Sequence, residues 1–475
     1  MKQELDTTEN GQKKLKWSEK IAYGFGDFGN GFMFDLGQAY LTKFYTDIAL
    51  IPAGMVGVIF SITKIFDAFM DPLAGSFVDT RKNHGKQGRF RPVMMFSSII
   101  LAILTIITFT MPNFSMTGKI AYAFATYMIW GVVYSFTNIP YGSLASVMTR
   151  DIDDRAHLAT TRQAGSLGAQ LVTGVAFIPI VMLFSEADGT INAHGYTIAA
   201  AVMALCGVLG FLVCFLGTRE HIQINRSVNA EKEGIKDYIK VVFTNKPLGA
   251  IILLTIFTIS AMNTNNTMMV YFCQYNLGNI HLQPIVNGIM MGSSVVAILL
   301  IPTLVKKFGK KNTAVASFII GVIANGMNFV LPTNTVTFII LVSIILVSIG
   351  YVALAIPNGI TWAFVSDVID YGEWHTGIRK EGITYAAFNF SRKIAQSLAA
   401  VVSAAILGLT GYVGNTAPTS ETLTGIKGAM TLYPAFALAM AAIIIFFLYG
   451  LSDDKYRQIA SDLSKGKWEH GELRK

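Results

Sequence analysis

The sequence predicts an all-α membrane protein of about twelve transmembrane helices. Its 475 residues are 52% hydrophobic and only 14% charged, whereas a soluble domain carries about 25% charged residues. The mean hydropathy is +0.50. Many apolar runs also reach the roughly 20 residues that a helix needs to cross about 30 Å of hydrocarbon.

The predicted helices follow the apolar runs in order. They occupy positions 21–46, 52–79, 93–111, 120–147, 160–184, 196–217, 248–276, 283–305, 313–331, 336–367, 382–410 and 428–450. A membrane β-barrel would show short segments of alternating polarity, whereas these runs are long and apolar on every face. The pattern therefore favours helices.

Basic residues recur in every second connection between these runs. They lie at 13–20, 81–91, 150–162, 219–246, 306–311, 379–380 and 455–475. Cytoplasmic loops of membrane proteins carry the excess of Lys and Arg, so we expect both termini in the cytoplasm and a multi-pass protein of the cell membrane. Because the net charge of +8 is spread in this way, no nucleic-acid partner is expected.

The longest polar connection divides the chain into two halves of six helices. We predict a cytoplasmic N-terminal segment at 1–20, a bundle at 21–218, a central loop at 219–247, a second bundle at 248–450 and a tail at 451–475. Basic, Gly-containing turns at 81–89 and 306–311 repeat between the halves, as in transporters built from repeats. Loops that only anchor the helices would give the same pattern.

Ionisable residues inside apolar helices are the strongest functional signal. They are Asp27, Asp35, Lys64, Asp67, Asp71 and Lys393. Each costs about 2.5–3.5 kcal/mol near the centre of a membrane helix on insertion scales, and such residues usually face a wet, functional cavity. We therefore expect a transport pathway lined by these groups.

In the second helix, Lys64, Asp67 and Asp71 are spaced i, i+3, i+7 and project from one face. Two carboxylates one turn apart repel each other, which favours uptake of a proton or a cation between them. The pattern predicts a coupling-cation site. The alternative is an internal salt bridge through Lys64 that only joins helices.

In the first helix, Asp27, Gly31 and Asp35 repeat every four residues and mark a polar stripe. Asn30 and Tyr40 add hydrogen-bonding groups nearby, as a polyhydroxylated ligand needs. Alternatively, Asp27 lies near the cytoplasmic end of the helix and is simply solvated.

Several motifs resemble the glycoside-pentoside-hexuronide:cation symporters over nearly the whole chain. They are Tyr23-Gly24-Phe25-Gly26-Asp27, Tyr45-Thr46-Asp47, Asp67-Ala68-Phe69-Met70-Asp71-Pro72, Asn138-Ile139-Pro140-Tyr141, and Asp367 with Asp370-Tyr371-Gly372-Glu373-Trp374. The resemblance implies a major facilitator fold with two six-helix bundles. It also implies uptake of a sugar or glycoside with H⁺, Na⁺ or Li⁺. No cofactor is expected.

The resemblance assigns the cation site to Asp67 and Asp71. A third aspartate of the family's melibiose permease corresponds to Asn138, with Ser135 one turn earlier. A neutral amide offers a hard cation less charge than a carboxylate does. The expected coupling ion is therefore H⁺ rather than Na⁺ or Li⁺.

The sugar site departs further from the melibiose permease. Its Lys-Asp pair falls on Asn30 and Gly31 and a tryptophan falls on Gly142, whereas Arg162 and Lys393 match family residues. We hypothesise that a neighbour of Gly31, either Asp27 or preferably Asp35, supplies the displaced carboxylate. Galactoside recognition is not expected.

Opposite charges in the cytoplasmic loops of both halves suggest a cytoplasmic gate. The candidates are Asp79, Arg81, Arg89, Arg155, Asp367, Asp370, Glu373 and Arg379. Exposed ion pairs contribute only about 0–1 kcal/mol each, so the gate would depend on several pairs acting together. Ordinary solvated loops are the alternative.

The sequence as a whole predicts a secondary symporter that works as a monomer in lipid. A non-transporting sugar sensor on the same fold is the alternative, but it would need a soluble signalling region. No nucleophile–base pair, metal cluster or phosphate loop suggests an enzyme or a primary pump.

Overall fold

The computed structural model describes residues 14–80, 87–149, 152–185, 191–221, 244–332, 337–377, 381–414, 416–465, 467–469 and 471–472. It divides into two compact units. One comprises Met1–Val228, Gln283–Gly288 and Val413–Thr416, and the other comprises Asn229–Leu282, Ile289–Tyr412 and Ala417–Lys475. The domain boundaries drawn from the sequence remain predictions.

Seven α-helices lie wholly within the first unit in the part of the chain that the structure describes. They are α1 (Trp17–Gly31), α2 (Phe34–Lys43), α3 (Ala53–Thr80), α4 (Arg91–Thr108), α5 (Met116–Met148), α6 (Ile152–Leu183) and α7 (Ala193–Gly217). Helix α1 packs on α6 and α7, α3 packs on α5, and α4 packs on α5 and α7.

The second half contains further helices. They are α8 (Lys246–Tyr271), α9 (Leu282–Phe308), α10 (Lys310–Val330), α11 (Thr337–Thr376), α12 (Glu381–Leu409), α13 (Ser420–Met430), α14 (Leu432–Ile443) and α15 (Asp453–Ser464). A short hairpin, β1 (Lys467–Trp468) and β2 (Gly471–Glu472), follows. An apolar core joins α8, α10, α11 and α14 through side chains such as Leu254, Phe318, Phe364 and Leu438.

Ten helical stretches in the described part of the chain are long and apolar enough to span a membrane. They match ten of the twelve predicted spans. The other two are α3, which carries Lys64, Asp67 and Asp71, and the interrupted first span. The all-α membrane fold is therefore confirmed.

The prediction of one continuous first helix at 21–46 is wrong. Helix α1 ends at Gly31, and α2 begins at Phe34 and continues into a π-helical turn at Phe44–Ile48. The amides of Phe32 and Met33 both bond to the Asn30 carbonyl, which tightens the chain between the two helices. An apolar run does not reveal this break, because Phe32 and Met33 are as apolar as their neighbours.

The last predicted span, 428–450, is also interrupted and begins earlier. Helix α13 starts at Ser420, where the Thr419 side chain accepts a hydrogen bond from the Thr422 amide at 3.2 Å. Thr431 then separates α13 from α14. The polar residues from Ser420 to Lys427 leave this turn outside the apolar run that predicts the span.

The repeated turns share one backbone feature. Gly88, before α4, and Gly309, before α10, have φ angles of 79° and 81°, which side chains rarely adopt. A π-helical turn likewise ends the α2 segment at Phe44–Ile48 and the α8 segment at Phe272–Asn276. The two halves therefore resemble each other at the level of local structure.

Candidate functional site

Helices α1 and α6 approach each other closely through glycines. A Cβ at Gly24 would lie 2.6 Å from the Thr161 carbonyl oxygen, and one at Gly165 would overlap the Gly24 carbonyl. Small residues allow membrane helices to approach at backbone distance. This contact brings Asp27 on α1 to Arg162 on α6, where Nε of the arginine donates to Oδ2 at 3.0 Å.

The Asp27–Arg162 pair is only partly buried. The arginine side chain is 37% exposed and the aspartate 14% exposed. The guanidinium carbon also lies 5.1 Å from the centre of the Tyr141 ring, which stacks on Tyr23 with centroids 4.8 Å apart. The structure thus brings together two of the predicted sugar-site residues, whereas solvation of Asp27 alone had been the alternative.

Gly142 leaves space beside this arginine. A Cβ at Gly142 would meet Arg162 Nη1 at an ordinary contact distance of 3.6 Å. A large side chain there would occupy the volume beside the guanidinium. Gly142 therefore leaves Nη1 of the Arg162 guanidinium accessible on the side of α5.

Asp35 lies close to Gly31, as the hypothesis of a displaced carboxylate requires. A Cβ at Gly31 would lie 3.1 Å from Asp35 Oδ2. The carboxylate faces the side chain of Gln170 on α6 and is within electrostatic reach of Asp27. Asn30, one residue before Gly31, donates through Nδ2 to the Tyr134 hydroxyl at 3.4 Å.

Tyr40 and Lys393 are the remaining predicted sugar-site residues. The Tyr40 hydroxyl is buried and accepts a hydrogen bond from Gln283 Nε2 at 2.8 Å, and it donates to the Gly174 carbonyl at 3.5 Å. Lys393 is a partly buried residue of α12 in the second unit. Their roles in sugar binding remain predictions.

The predicted cation site lies where α3 packs on α5. The Asp67 carboxylate rests against the Cα of Gly131, so closely that a Cβ there would overlap Oδ1. Ser135, one turn after Gly131, is buried and bonds through its hydroxyl to the Gly131 carbonyl at 3.4 Å. The side chain of Asp71 lies outside the described residues.

The two helices run parallel in this region, because their contacts advance together. Phe60 meets Tyr127 at 4.7 Å between ring centroids, and Phe77 meets Phe136 at 5.5 Å. Asn138 is one turn beyond Ser135, and its buried Oδ1 accepts no hydrogen bond from the described residues. Oxygen atoms of the kind that bind small hard cations therefore follow one another along α5 from the Gly131 turn, where Asp67 lies, to Asn138.

An aromatic stack beside this site was not predicted. Phe34, the first residue of α2, stacks on Tyr134 with centroids 4.1 Å apart and lies parallel to Trp130 at 5.7 Å. Lys64 Nζ lies 4.6 Å from the centre of the Phe34 ring. Lys64 is therefore a cation–π partner of α2 as well as a neighbour of Asp67 on α3.

The acidic gate candidates on α11 have partners inside their own unit. Asp367 forms an ion pair with Lys310, and Asp370 Oδ2 accepts a hydrogen bond from the Tyr456 hydroxyl of α15 at 3.0 Å. Trp374 donates to Asp462 of α15 at 3.3 Å. The segment 367–374 of α11 thus contacts the C-terminal helix α15. The gate role of Asp367, Asp370 and Glu373 remains a prediction.

Of the basic gate candidates, the structure describes Arg89. Its backbone amide donates to Glu220 at 2.8 Å, and the same carboxylate accepts from the amides of Phe90 and Arg91 at the start of α4. Glu220 thereby caps this helix, a role that the sequence argument missed. Asp79, Arg81, Arg155 and Arg379 lie outside the residues whose side chains the structure describes.

A second ion pair ties the N-terminal segment to the start of α6. Asp154 accepts from Lys20 Nζ at 2.8 Å and from the Leu15 amide at 2.9 Å. Burial alone would raise the pKa of Asp154, but these two donors hold it below its ordinary value. Asp154 precedes the membrane-spanning part of α6, which begins at His157.

Comparison with known proteins places this architecture in a family. Residues 22–453 match the model of MFS/sugar transport proteins. The chain is 50% identical to the uncharacterized symporter YjmB of Bacillus subtilis (95% of this chain, 96% of the relative). It is 34% identical to a putative sulfoquinovose importer (96% and 95%) and 31% identical to a glucuronide carrier protein homolog (96% and 97%), both of Escherichia coli.

Solved structures agree on the fold. A D-xylose–proton symporter superimposes with a TM-score of 0.62 at 14% identity, covering 93% of this chain and 99% of the other. The chain therefore belongs to the MFS/sugar transport protein family and to its glycoside-pentoside-hexuronide branch. It is a multi-pass membrane protein and a secondary transporter rather than an enzyme.

Proposed function

We propose that this protein is a cell-membrane symporter that imports an acidic sugar together with a proton by alternating access. The observation that carries the proposal is the partly exposed Asp27–Arg162 pair within the polar stripe of α1 and α6. Charges in membrane helices are expensive, so those that are present usually face a water-filled cavity and mark a transport pathway.

Arg162 is the residue that favours an acidic substrate. Arginine presents a planar fork that binds a carboxylate or sulfonate through two parallel hydrogen bonds. Nε of Arg162 is engaged by Asp27, and Nη1 borders the space left by Gly142. The compounds named for two relatives, sulfoquinovose and a glucuronide, both carry such an acidic group.

Asp35 and Asn30 are proposed to bind the sugar hydroxyls. A carboxylate accepts hydrogen bonds from vicinal hydroxyls, and an amide both donates and accepts. Asp35 Oδ2 lies beside Gly31, and Asn30 is bonded to Tyr134 on the neighbouring α5. The acidic group and the hydroxyls of one ring would thereby have separate partners.

Asp67 is proposed to bind the coupling ion together with Asp71, with oxygens of Ser135 and Asn138 nearby. The replacement of a carboxylate by Asn138 favours a proton over Na⁺. One proton carried with one monoanionic sugar moves no net charge. A pH gradient, rather than the membrane potential, would then drive uptake.

A matched pair of sugars tests this function. D-Glucuronate and D-glucose differ at one carbon, which carries a carboxylate in the first and an alcohol in the second. We expect vesicles containing the protein to exchange labelled D-glucuronate in counterflow and to ignore D-glucose. Equal exchange of both sugars, or of neither, would contradict the assignment. A separate measurement, in which a Na⁺ gradient replaces the H⁺ gradient, identifies the coupling ion.

A further inference from the structure

We propose that Phe34 is a positioning residue that couples the cation site to the sugar site. The inference rests on the proposed function and deepens it. Phe34 is the first residue of α2, directly after the break in the first span, and Asp35 is the next residue of the chain. Whatever holds the Phe34 ring therefore also holds the Asp35 backbone.

On one side, Phe34 touches the cation site. Lys64 Nζ lies over its ring at 4.6 Å from the centroid, and Lys64 precedes Asp67 by one turn of α3. Lys64 and Asp67 are 5% and 8% exposed. With little water to screen it, the ammonium group is attracted both by the carboxylate and by the negative face of the ring.

On the other side, Phe34 contacts the sugar site through α5. Its ring stacks on Tyr134 at 4.1 Å, and the Tyr134 hydroxyl accepts the hydrogen bond from Asn30. Trp130 lies parallel to both rings, with centroids 5.7 Å from Phe34 and 6.2 Å from Tyr134, and it donates a 3.0 Å hydrogen bond to Thr105. The stack therefore links Lys64 to both Asn30 and Asp35.

This arrangement converts ion binding into order at the sugar site. When Asp67 is ionised, its charge attracts the ammonium group of Lys64 and competes with the ring. When Asp67 takes up a proton, that attraction disappears and Lys64 binds the face of Phe34 more strongly. The start of α2 is then held in the position in which Asp35 meets the sugar, so proton and sugar improve each other's affinity.

Several ionisable groups face this cluster, and Asp67 is one of them. They are Asp67 on α3, Tyr127 and Tyr134 on α5, Asp27 and Asp35 on α1 and α2, and Arg162 on α6. A test based on pH alone would mix their effects. The test must therefore remove the ring and the ammonium group separately.

The experiment measures the apparent KM for D-glucuronate in vesicle counterflow at about pH 6 and about pH 8. We expect the wild type to bind about tenfold more tightly at the lower pH, within the usual range of coupling between sites. Phe34→Leu removes the π face, and we expect that ratio to fall below about threefold. Maximal exchange should persist, because exchange does not depend on net coupling.

Matched variants separate coupling from folding. Phe28→Leu is the control, since the described ring contacts of Phe28 are with Phe25 and Phe32, and it should keep the wild-type ratio. Phe34→Tyr keeps the aromatic ring and should also keep the wild-type ratio. Lys64→Gln removes the ammonium group that contacts the ring and should lower the ratio as Phe34→Leu does. The double variant should lower the ratio no further than either single variant.

Three results would overturn the proposal. A wild-type ratio in Phe34→Leu would show that the ring does not transmit ion binding, while leaving the proposed function intact. Additive losses in the double variant would show that Lys64 and Phe34 act independently. If the wild type itself exchanges no D-glucuronate, the proposed function fails and this inference fails with it.

Discussion

The two units of the protein treat charge differently. In the described part of the chain, the first unit buries seven charged residues and the second buries two. The first set is Lys20, Lys43, Asp47, Lys64, Asp67, Arg91 and Asp154, and the second is Asp367 and Lys427. The interior of the second unit instead buries neutral amides such as Asn265, Asn325 and Asn328.

The difference suggests that the two units have different roles. Burying a neutral amide costs free energy that does not depend on ion binding. A buried charge, in contrast, needs a partner of opposite charge or a ligand. We therefore propose that the first unit is the one that responds to a proton or to an acidic sugar. The described charges of α11 bind Lys310 and α15, which favours a structural use.

The largest effect should follow from removing the charge of Asp67. With one proton per sugar, a pH gradient of about one unit supports about a tenfold accumulation, since one unit is about 1.4 kcal/mol. We expect Asp67→Asn to reduce the accumulation ratio to one while D-glucuronate counterflow continues. Asp370→Asn, in the second unit, should keep the full ratio, and loss of accumulation there instead would reverse the comparison.

The next effect concerns recognition of the acidic group. Arg162→Gln removes the charge-assisted contact with the acidic group. A net loss equivalent to one such hydrogen bond, about 1.5–3 kcal/mol, should raise the KM for D-glucuronate about 10- to 150-fold. Arg457→Gln is the control, because that arginine makes an exposed i,i+3 pair with Asp454. An unchanged KM in Arg162→Gln would remove Arg162 from the sugar site.

A steric test sharpens the assignment of the cation site. Gly131→Ala adds a methyl group where the Asp67 carboxylate lies, so proton-coupled accumulation should fall by about threefold to tenfold through displacement of that carboxylate. Gly292→Ala on α9 is the matched control, since a Cβ there meets nothing within 4 Å. Equal effects of the two variants would mean that the contact at Gly131 has no functional weight.

A smaller effect is expected at the C-terminal helix. Tyr456→Phe removes the hydroxyl that binds Asp370 and should lower the free energy of unfolding by about 1 kcal/mol, as for a typical hydrogen bond. Thermal unfolding in detergent measures this change. Transport should remain unchanged, and a loss of coupling in this variant would give α11 the gate role that the sequence suggested.

The smallest effect is the pH dependence of the Asp154 ion pair. Its folded-state pKa is lowered, so its stabilisation is present above the unfolded value of about 3.9 and is lost as pH falls through the folded value. Unfolding temperatures of the wild type and Asp154→Asn should therefore differ at neutral pH and converge below about pH 4. A constant difference over this range would contradict the ionic role.

The sequence predicted the helices and the ionisable residues but not how the residues combine. Apolar length marks a span, and the cost of charge in lipid makes residues such as Asp67 and Arg162 visible. Nothing in the apolar pattern marks the break after Gly31. The stack of Phe34 on Tyr134 was also not predicted, because the two residues are a hundred positions apart and aromatic residues are common in membrane helices.

The most direct test of the account is a record of external pH when D-glucuronate is added to de-energised vesicles containing the protein. We predict that the medium becomes transiently alkaline as sugar and proton enter together, and that D-glucose produces no change. Asp67→Asn vesicles should give no alkalinisation although they still exchange D-glucuronate. An undiminished signal from Asp67→Asn would contradict the claim that the first unit couples the ion to the sugar at this carboxylate.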